Sequence, residues 1–365
     1  MSLLLFYILK PLIRRNPKKF TRSATAGVLL MTVVYAAYFI GLGKTQSYDT
    51  HNFIIPYALN NGREVSLPDK EGETENYRVD FYQSMDNMAM YWQMPSIQAF
   101  HSIVPGSVMT FYPSIGVDRG VGSRPETSHY GIRGLLSVKY LFDYAGDSNN
   151  FKDGDVTQMP GFTYYATQNG FDVYVNTNYI PYGFTYDTVI TRAQFEETSQ
   201  GNRELLLLKA MMVEDEDFDR VAQVLNTMSE NELSSQVYSQ QAYAEDCAAR
   251  NRETCYSFSR SGSGFTAQID LSKDNYVFFS VPYESGWSAQ VDGADAKIVK
   301  ANNGFMSVLV PQGNHTITFT YRTPGLSAGL AVTLLSVLIF LLYLWLMPKR
   351  DERLSLHRAQ EAAAN

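Results

Sequence analysis

The sequence holds few of the residues that build metal centres and reactive sites. Its 365 residues include two cysteines, Cys247 and Cys255, and five histidines. The cysteines lack the spacing of a zinc site, and no two histidines form a ligand pair at helical spacing. The sequence also lacks a nucleophile elbow, a Walker loop and an HExxH motif. We therefore expect no metal, no cofactor and no hydrolase of the types that carry these motifs.

Acidic residues are missing from residues 1–43, which carry six basic side chains. The last stretch holds four more basic side chains, Lys349, Arg350, Arg353 and Arg358. The whole chain nevertheless has a net charge of −7, so the region between these basic ends is strongly acidic. Nucleic-acid binding requires a basic face, and we expect no nucleic-acid partner.

Two stretches contain no charged residue and are long enough to cross a bilayer. They are residues 24–43 and 326–347, and each supplies roughly the 20 apolar residues of a transmembrane helix. The basic clusters lie on their outer flanks, so the positive-inside rule places residues 1–23 and 348–365 in the cytoplasm. Residues 44–325 are then extracytoplasmic. A cleaved signal peptide is disfavoured, because Leu42-Gly43-Lys44 is a poor cleavage site.

The first 15 residues form an apolar run that is too short to span a membrane. Two interpretations stay open at this point. The run resembles the end of a helix that begins further upstream, which would make the chain the C-terminal portion of a larger polytopic protein. Alternatively, it is an interfacial helix that lies on the cytoplasmic surface.

The outer region divides by pattern into three segments. Residues 44–200 mix strands and loops, and the alternation at residues 78–83, 162–167 and 171–176 predicts strands. Residues 201–255 have helical composition. Residues 256–324 contain short apolar runs separated by turn dipeptides such as Asp292-Gly293 and Asn303-Gly304, which predict a small antiparallel β-sandwich. The fold class is thus an α+β membrane protein. An exported location would permit a disulfide between Cys247 and Cys255.

Residues 84–140 are denser in polar and aromatic groups than a scaffold needs. Arginine forks bind phosphate or carboxylate at two points, and a tryptophan face can stack on a sugar ring. The opposing interpretation is a loop-rich domain held by Arg–Asp pairs and buried rings. The candidate substrate-binding residues are Asp86, Trp92, His101, Arg119, Arg124 and Arg133.

At these residues the chain resembles the YfhO family of bacterial membrane proteins. The likeness spans most of residues 74–330. Its most specific parts are residues 84–122, 123–141, 170–184, 281–287 and 321–325, together with Val291-Asp292-Gly293 and Asn303-Gly304-Phe305.

The resemblance implies a GT-C-like glycosyltransferase in a bacterial cell membrane. Such an enzyme would take sugar from a polyprenyl-phosphate carrier and place it on a cell-envelope polymer of the teichoic-acid type. The family's multi-span core, with the acidic residue of its first outer loop, has no counterpart in this sequence. We therefore expect the C-terminal part of such a transferase, whose catalytic core would be supplied elsewhere, for example by a separate multi-span subunit. No catalytic residue can be carried over.

Two further function classes remain in view. A helix on each side of an outer domain is a receptor topology, although the tail after Met347 leaves no room for a signalling domain. A membrane-tethered glycan-binding module without catalysis is the second.

Overall fold

A computed structural model describes residues 15–46, 65–69, 77–83, 85–146 and 148–364. The chain divides into two units, Met1–Val65 and Ser66–Asn365. Nearly all of the apolar run at residues 1–15 lies outside the described residues.

The α-helices are, in chain order, α1 (Pro17–Gln46), α2 (Met88–Tyr91), α3 (Gly106–Ser114), α4 (Gly131–Leu135), α5 (Arg192–Glu197), α6 (Arg203–Lys209), α7 (Asp215–Val221), α8 (Glu230–Ser234), α9 (Gln240–Arg250) and α10 (Leu326–Ala364). The strands before α5 are β1 (Arg78–Tyr82), β2 (Ala99–Phe100), β3 (Gly122–Ser123), β4 (Val138–Tyr144), β5 (Lys152–Asp153), β6 (Val156–Thr157), β7 (Phe162–Gln168), β8 (Phe171–Asn176), β9 (Phe184–Thr185) and β10 (Thr188–Thr191). The later strands are β11 (Met211–Val213), β12 (Asn226–Thr227), β13 (Ser257–Ser261), β14 (Gly264–Leu271), β15 (Asn275–Phe279), β16 (Trp287–Val291), β17 (Ala294–Ala296), β18 (Ile298–Ala301), β19 (Phe305–Val310) and β20 (Gly313–Tyr321).

Two of these helices have the length and composition to cross a membrane, namely α1 and the first part of α10, Leu326–Met347. Helix α1 has 30 residues and buries none of its side chains. It is about 45 Å long at 1.5 Å per residue, which exceeds the thickness of a bilayer core. It starts before the predicted residue 24, because Asn16 accepts a hydrogen bond from the Lys19 amide (3.2 Å) and Pro17 suits the first helical position.

A four-stranded mixed sheet has the order β1-β4-β8-β7. Strands β1 and β4 run parallel, and the other neighbours are antiparallel. The strands predicted at residues 78–83, 162–167 and 171–176 are β1, β7 and β8, so the alternation was a sound guide here.

The remaining large sheets share one apolar core. A seven-stranded sheet has the order β12-β10-β11-β18-β19-β15-β9, and a five-stranded antiparallel sheet has the order β13-β14-β20-β16-β17. Side chains of both sheets, among them Phe265, Phe319 and Val308, meet in a single buried cluster. The predicted sandwich is therefore not a self-contained segment at residues 256–324. Its second sheet is completed by strands from residues 184–227.

The seven-stranded sheet is a middle layer that is buried on both faces. Along β15, Val277 and Phe279 join the cluster shared with the five-stranded sheet, whereas Tyr276 and Phe278 join the larger core formed with the helices. A strand buried on both sides reads as a continuous apolar run, which explains the sequence YVFF.

The composition of residues 201–255 predicts a helical segment, but the structure is only partly helical there. Helix α6 ends at Lys209, and the following Met-Met-Val run forms β11 between β10 and β18. The buried position between two strands overrides the helical propensity of this short apolar run.

The two cysteines are free and buried, so the structure does not form the predicted disulfide. Cys247 lies on α9 in the larger core, whereas Cys255 lies in the core between the two sheets. Burial raises the pKa of both thiols far above the usual value, which keeps them protonated and unreactive in the folded chain.

Candidate functional site

A cavity of ≈ 190 Å³ lies in the second unit, beside the first residue of β1 and helix α3. Its apolar wall includes Phe111 and Phe305. The volume far exceeds the roughly 10–15 Å³ needed by one water molecule. The polar side chains that line it include Arg78, Ser96, His101, Tyr112, Arg119 and Ser123.

Arg119 brings a buried positive charge to this cavity. The residue is 9% exposed, and its Nη1 donates to the carbonyl oxygen of Gly120. Its Nε–H is buried without a hydrogen-bond partner. Burial lowers the pKa of the guanidinium, although an arginine stays charged at neutral pH. No carboxylate among the described residues forms a salt bridge with Arg119, so none of them compensates its charge.

Arg78 brings a second guanidinium to the same cavity. Its Nη1 donates to the Leu136 carbonyl (2.8 Å) and to Ser280 Oγ (2.9 Å), and its Nη2 donates to the Ser280 carbonyl (2.7 Å). The guanidinium also lies over the Tyr182 ring, 4.7 Å from its centroid. These contacts fix the orientation of the group with neutral partners, and none of them neutralises its charge.

Two hydroxyl groups complete the polar lining. Ser123 is 2% exposed, and its buried Oγ interacts with the Tyr112 hydroxyl. The Tyr112 hydroxyl lies 3.5 Å from the Ile97 carbonyl, and burial raises its pKa, so it stays a neutral donor. Among the described residues that line the cavity there is no Asp or Glu. Two cations and one spare N–H donor, with no carboxylate among the described lining residues, are suited to binding a small anion.

Two of the six residues predicted from the sequence lie at this cavity, His101 and Arg119. His101 is exposed, and its backbone amide donates to the Val121 carbonyl (2.9 Å). The other four, Asp86, Trp92, Arg124 and Arg133, do not line this cavity.

Arg133 serves the fold. It is 2% exposed, and its Nε donates to Asp80 Oδ2 at 3.0 Å. Its Nη1 donates to the carbonyls of Glu126 and His129, both at 2.8 Å, and its Nη2 donates to the Pro125 carbonyl at 2.7 Å. The guanidinium thus ties residues 125–129 to β1, and its donors are largely used by the protein.

Arg124 and Asp86 form an exposed ion pair, with 2.8 Å between Arg124 Nε and Asp86 Oδ1. Arg124 borders a second cleft, of ≈ 560 Å³, whose lining includes the acidic residues Asp80 and Glu126. The carboxylates make this cleft less suited to an anion than the first cavity.

Trp92 is a core residue and offers no open face to a sugar. It is 4% exposed and packs edge-to-face against Phe81, Phe142 and Phe171, with ring centroids about 5 Å apart. The contacts of Arg133 and Trp92 are those that the opposing interpretation, Arg–Asp pairs and buried rings, predicts.

A separate polar cluster surrounds His315 on β20. Its Nδ1 lies 2.6 Å from Asp292 Oδ2 and its Nε2 lies 3.1 Å from the Gln312 carbonyl. Both ring nitrogens face acceptors, so the doubly protonated imidazolium satisfies both. The hydrogen bond to Asp292 is the main reason why the pKa of His315 is raised.

The sequence comparisons agree with the membrane helices. A family model described as "Bacterial membrane protein YfhO" matches residues 1–261 and 237–333. The chain belongs to the YfhO family. The predicted resemblance is thereby confirmed, and the chain is a bacterial membrane protein of α+β content. The uncharacterized protein YfhO of Bacillus subtilis (strain 168) is 33% identical over 79 residues. That stretch makes up 22% of this chain and 9% of the relative.

Proposed function

We propose that this chain is the C-terminal part of a YfhO-type membrane glycosyltransferase, and that its cavity holds the phosphate of a polyprenyl-phosphate sugar. The observation that carries the proposal is the charge of Arg119, which no described carboxylate pairs with, beside the charge of Arg78. The phosphodiester that joins the sugar to such a carrier has two free oxygens that share one negative charge, and two guanidinium groups can bind both of these oxygens.

The acceptor in this proposal is a cell-envelope polymer of the teichoic-acid type, and the multi-span catalytic core acts together with this chain. Both termini lie in the cytoplasm and the folded region between the spans is extracytoplasmic. These parts rest on the family resemblance and on the distribution of charge.

A second candidate function is a membrane-tethered binding module that turns nothing over. It is favoured by the lack of Asp and Glu among the described residues lining the cavity, because sugar transfer needs a base for the acceptor hydroxyl. The two functions differ in whether the assembled protein transfers sugar from the lipid carrier, which a radiolabelled-sugar assay measures directly.

The phosphate site is tested by calorimetry on the full chain in nanodiscs, with inorganic phosphate and farnesyl phosphate as probes. Arg119→Gln should weaken binding of both roughly ten- to a hundred-fold, because a hydrogen bond to a charged group contributes about 1.5–3 kcal/mol. Arg124→Gln is the matched control, since Arg124 is exposed and paired with Asp86 outside the cavity.

Arg119→Gln should also leave the melting temperature unchanged or higher, because it removes a buried charge whose Nε–H has no hydrogen-bond partner and which no described carboxylate pairs with. Equal affinity of Arg119→Gln and the parent chain for both probes would refute the site. Weakening by Arg124→Gln alone would move the site to the acidic cleft.

A further inference from the structure

One edge of the second unit exposes apolar side chains that a soluble surface would not gather. Ile103 is 88% exposed, Phe100 48%, Val121 46% and Met109 41%. We call these four residues the apolar edge. Strand β2 pairs with β3 through Phe100 and Gly122, so Phe100 and Val121 are neighbours. Ile103 lies in the loop after β2, and Met109 lies on α3.

The stretch of sequence that supplies three of these four residues, Phe100, Ile103 and Met109, contains no charged side chain. No Asp, Glu, Lys or Arg occurs between Asp86 and Asp118 in the sequence. Single exposed apolar side chains are normal on a soluble protein, but several of them gathered on an uncharged stretch of chain mark a contact surface.

The apolar edge is tied to the place where the chain enters its second span. The Gly106 amide, at the start of α3, donates to Glu284 Oε1 (3.2 Å). Two residues further along the same loop, the Gly286 carbonyl accepts from the Arg322 amide (2.9 Å). Helix α10 begins at Leu326, four residues after Arg322. The edge and the start of the span therefore lie at one end of the unit.

Aromatic residues gather at the same end. The rings of Trp287 and Tyr321 lie 5.2 Å apart, at the beginning of β16 and the end of β20. Arg322 follows at once. Tryptophan, tyrosine and arginine are the residues that anchor a protein at the boundary between lipid and water.

We infer that the apolar edge inserts into the interfacial layer of the bilayer beside α10. An edge of this kind reaches roughly 5–10 Å into the boundary between headgroups and acyl chains. The span fixes the unit at the membrane, and the edge fixes which side of the unit faces the lipid.

The test places a lipid-sensitive probe on the edge of the full chain in nanodiscs. Ile103→Cys is labelled with the fluorophore NBD, and emission is recorded with and without lipids that carry a nitroxide quencher near the headgroup. The unsubstituted chain should not label, because both native thiols are buried. Val156→Cys is the matched control: Val156 is 72% exposed but stands next to Asp155 on the hairpin of β5 and β6.

NBD at residue 103 should emit at shorter wavelength than at residue 156 and should lose most of its emission to the quencher lipids, while residue 156 keeps its emission. An unquenched probe at residue 103 overturns the inference, and if its emission is nevertheless shifted to shorter wavelength, a protein surface covers the edge instead. Equal quenching at both residues overturns it too, because the contact would not be specific to this edge.

Discussion

Replacement of Arg133 by Met or Lys tests whether the residue holds the fold or binds a ligand. The sequence pattern placed it in a phosphate site, and in that case Lys would leave the folding of the chain intact. The structure instead buries Arg133 against the Asp80 carboxylate and three backbone carbonyls. The stability of the variants is therefore the deciding quantity.

The expected losses follow from the contacts. Arg133→Met leaves Asp80 as a buried charge without its cation, and breaking a buried pair in this way costs about 3–5 kcal/mol. Arg133→Lys keeps a positive charge but not the planar fork, so one ammonium group must replace bonds that point to four separate acceptors. A loss of at least one charge-assisted hydrogen bond, about 1.5–3 kcal/mol, is expected.

Arg124→Met is the matched control, because its ion pair with Asp86 is exposed, with side chains 48% and 42% accessible. Removal of an exposed pair changes stability by about 0–1 kcal/mol. The assay is urea unfolding of the full chain in detergent, followed by tryptophan fluorescence, since Trp92 is buried in the aromatic cluster of the four-stranded sheet.

The reasoning is refuted if Arg133→Met unfolds at the same urea concentration as the parent chain, or if Arg124→Met is the more damaging change. Normal stability of Arg133→Lys together with lost phosphate binding would restore the original assignment to a ligand site.

Three further predictions follow from the structure and the charge pattern. Because the folded pKa of His315 is raised, its stabilising effect should be complete below the ordinary pKa of about 6.5 and disappear as pH rises through the folded value. His315→Gln should therefore lower the melting temperature more at pH 6 than at pH 9, and an equal loss at both would contradict this. Titration with a thiol reagent should find Cys247 and Cys255 unreactive in the folded chain and both free after unfolding; a missing pair of thiols in urea would show a disulfide. On intact cells, Asn314→Cys should react with an impermeant thiol reagent and Ser355→Cys should not, and the reverse pattern would invert the topology.

The local strand pattern could be predicted, but the partners of the strands could not. Asp292-Gly293 forms the predicted hairpin turn between β16 and β17, with both residues at positive φ (51° and 82°). Gln312-Gly313 has the same appearance in the sequence, yet there the chain leaves the seven-stranded sheet and enters the five-stranded one. A turn dipeptide specifies the bend, whereas the choice of neighbouring strand depends on which apolar faces must be covered.

Only some of the residues that line the candidate cavity could be predicted from the sequence, for a similar reason. Arg119 lies among glycines, and that pattern marks it as a candidate ligand-binding residue. Arg78 begins an ordinary alternating strand and Tyr112 lies in a short helix, so the sequence does not mark either of them. The local sequence does not distinguish an arginine that donates to backbone carbonyls and a carboxylate, such as Arg133, from an arginine that no described carboxylate pairs with, such as Arg119. The distinction depends on acceptors far away in the chain, as the sequence separation of 53 between Asp80 and Arg133 illustrates.

The two proposals place the cavity and the membrane contact next to each other. Val104 and Pro105 line the cavity, while the preceding Ile103 belongs to the apolar edge. If the edge lies in the interfacial layer, a lipid phosphate reaches Arg119 without its isoprenyl chain leaving the bilayer. The chain would then bind its ligand by lateral diffusion in the membrane, and the cost of drawing a long isoprenyl tail through water would not arise. Inorganic phosphate does not partition into the bilayer and gains nothing from lateral diffusion. The ratio of the affinities for farnesyl phosphate and inorganic phosphate therefore measures how much the membrane contact contributes to binding.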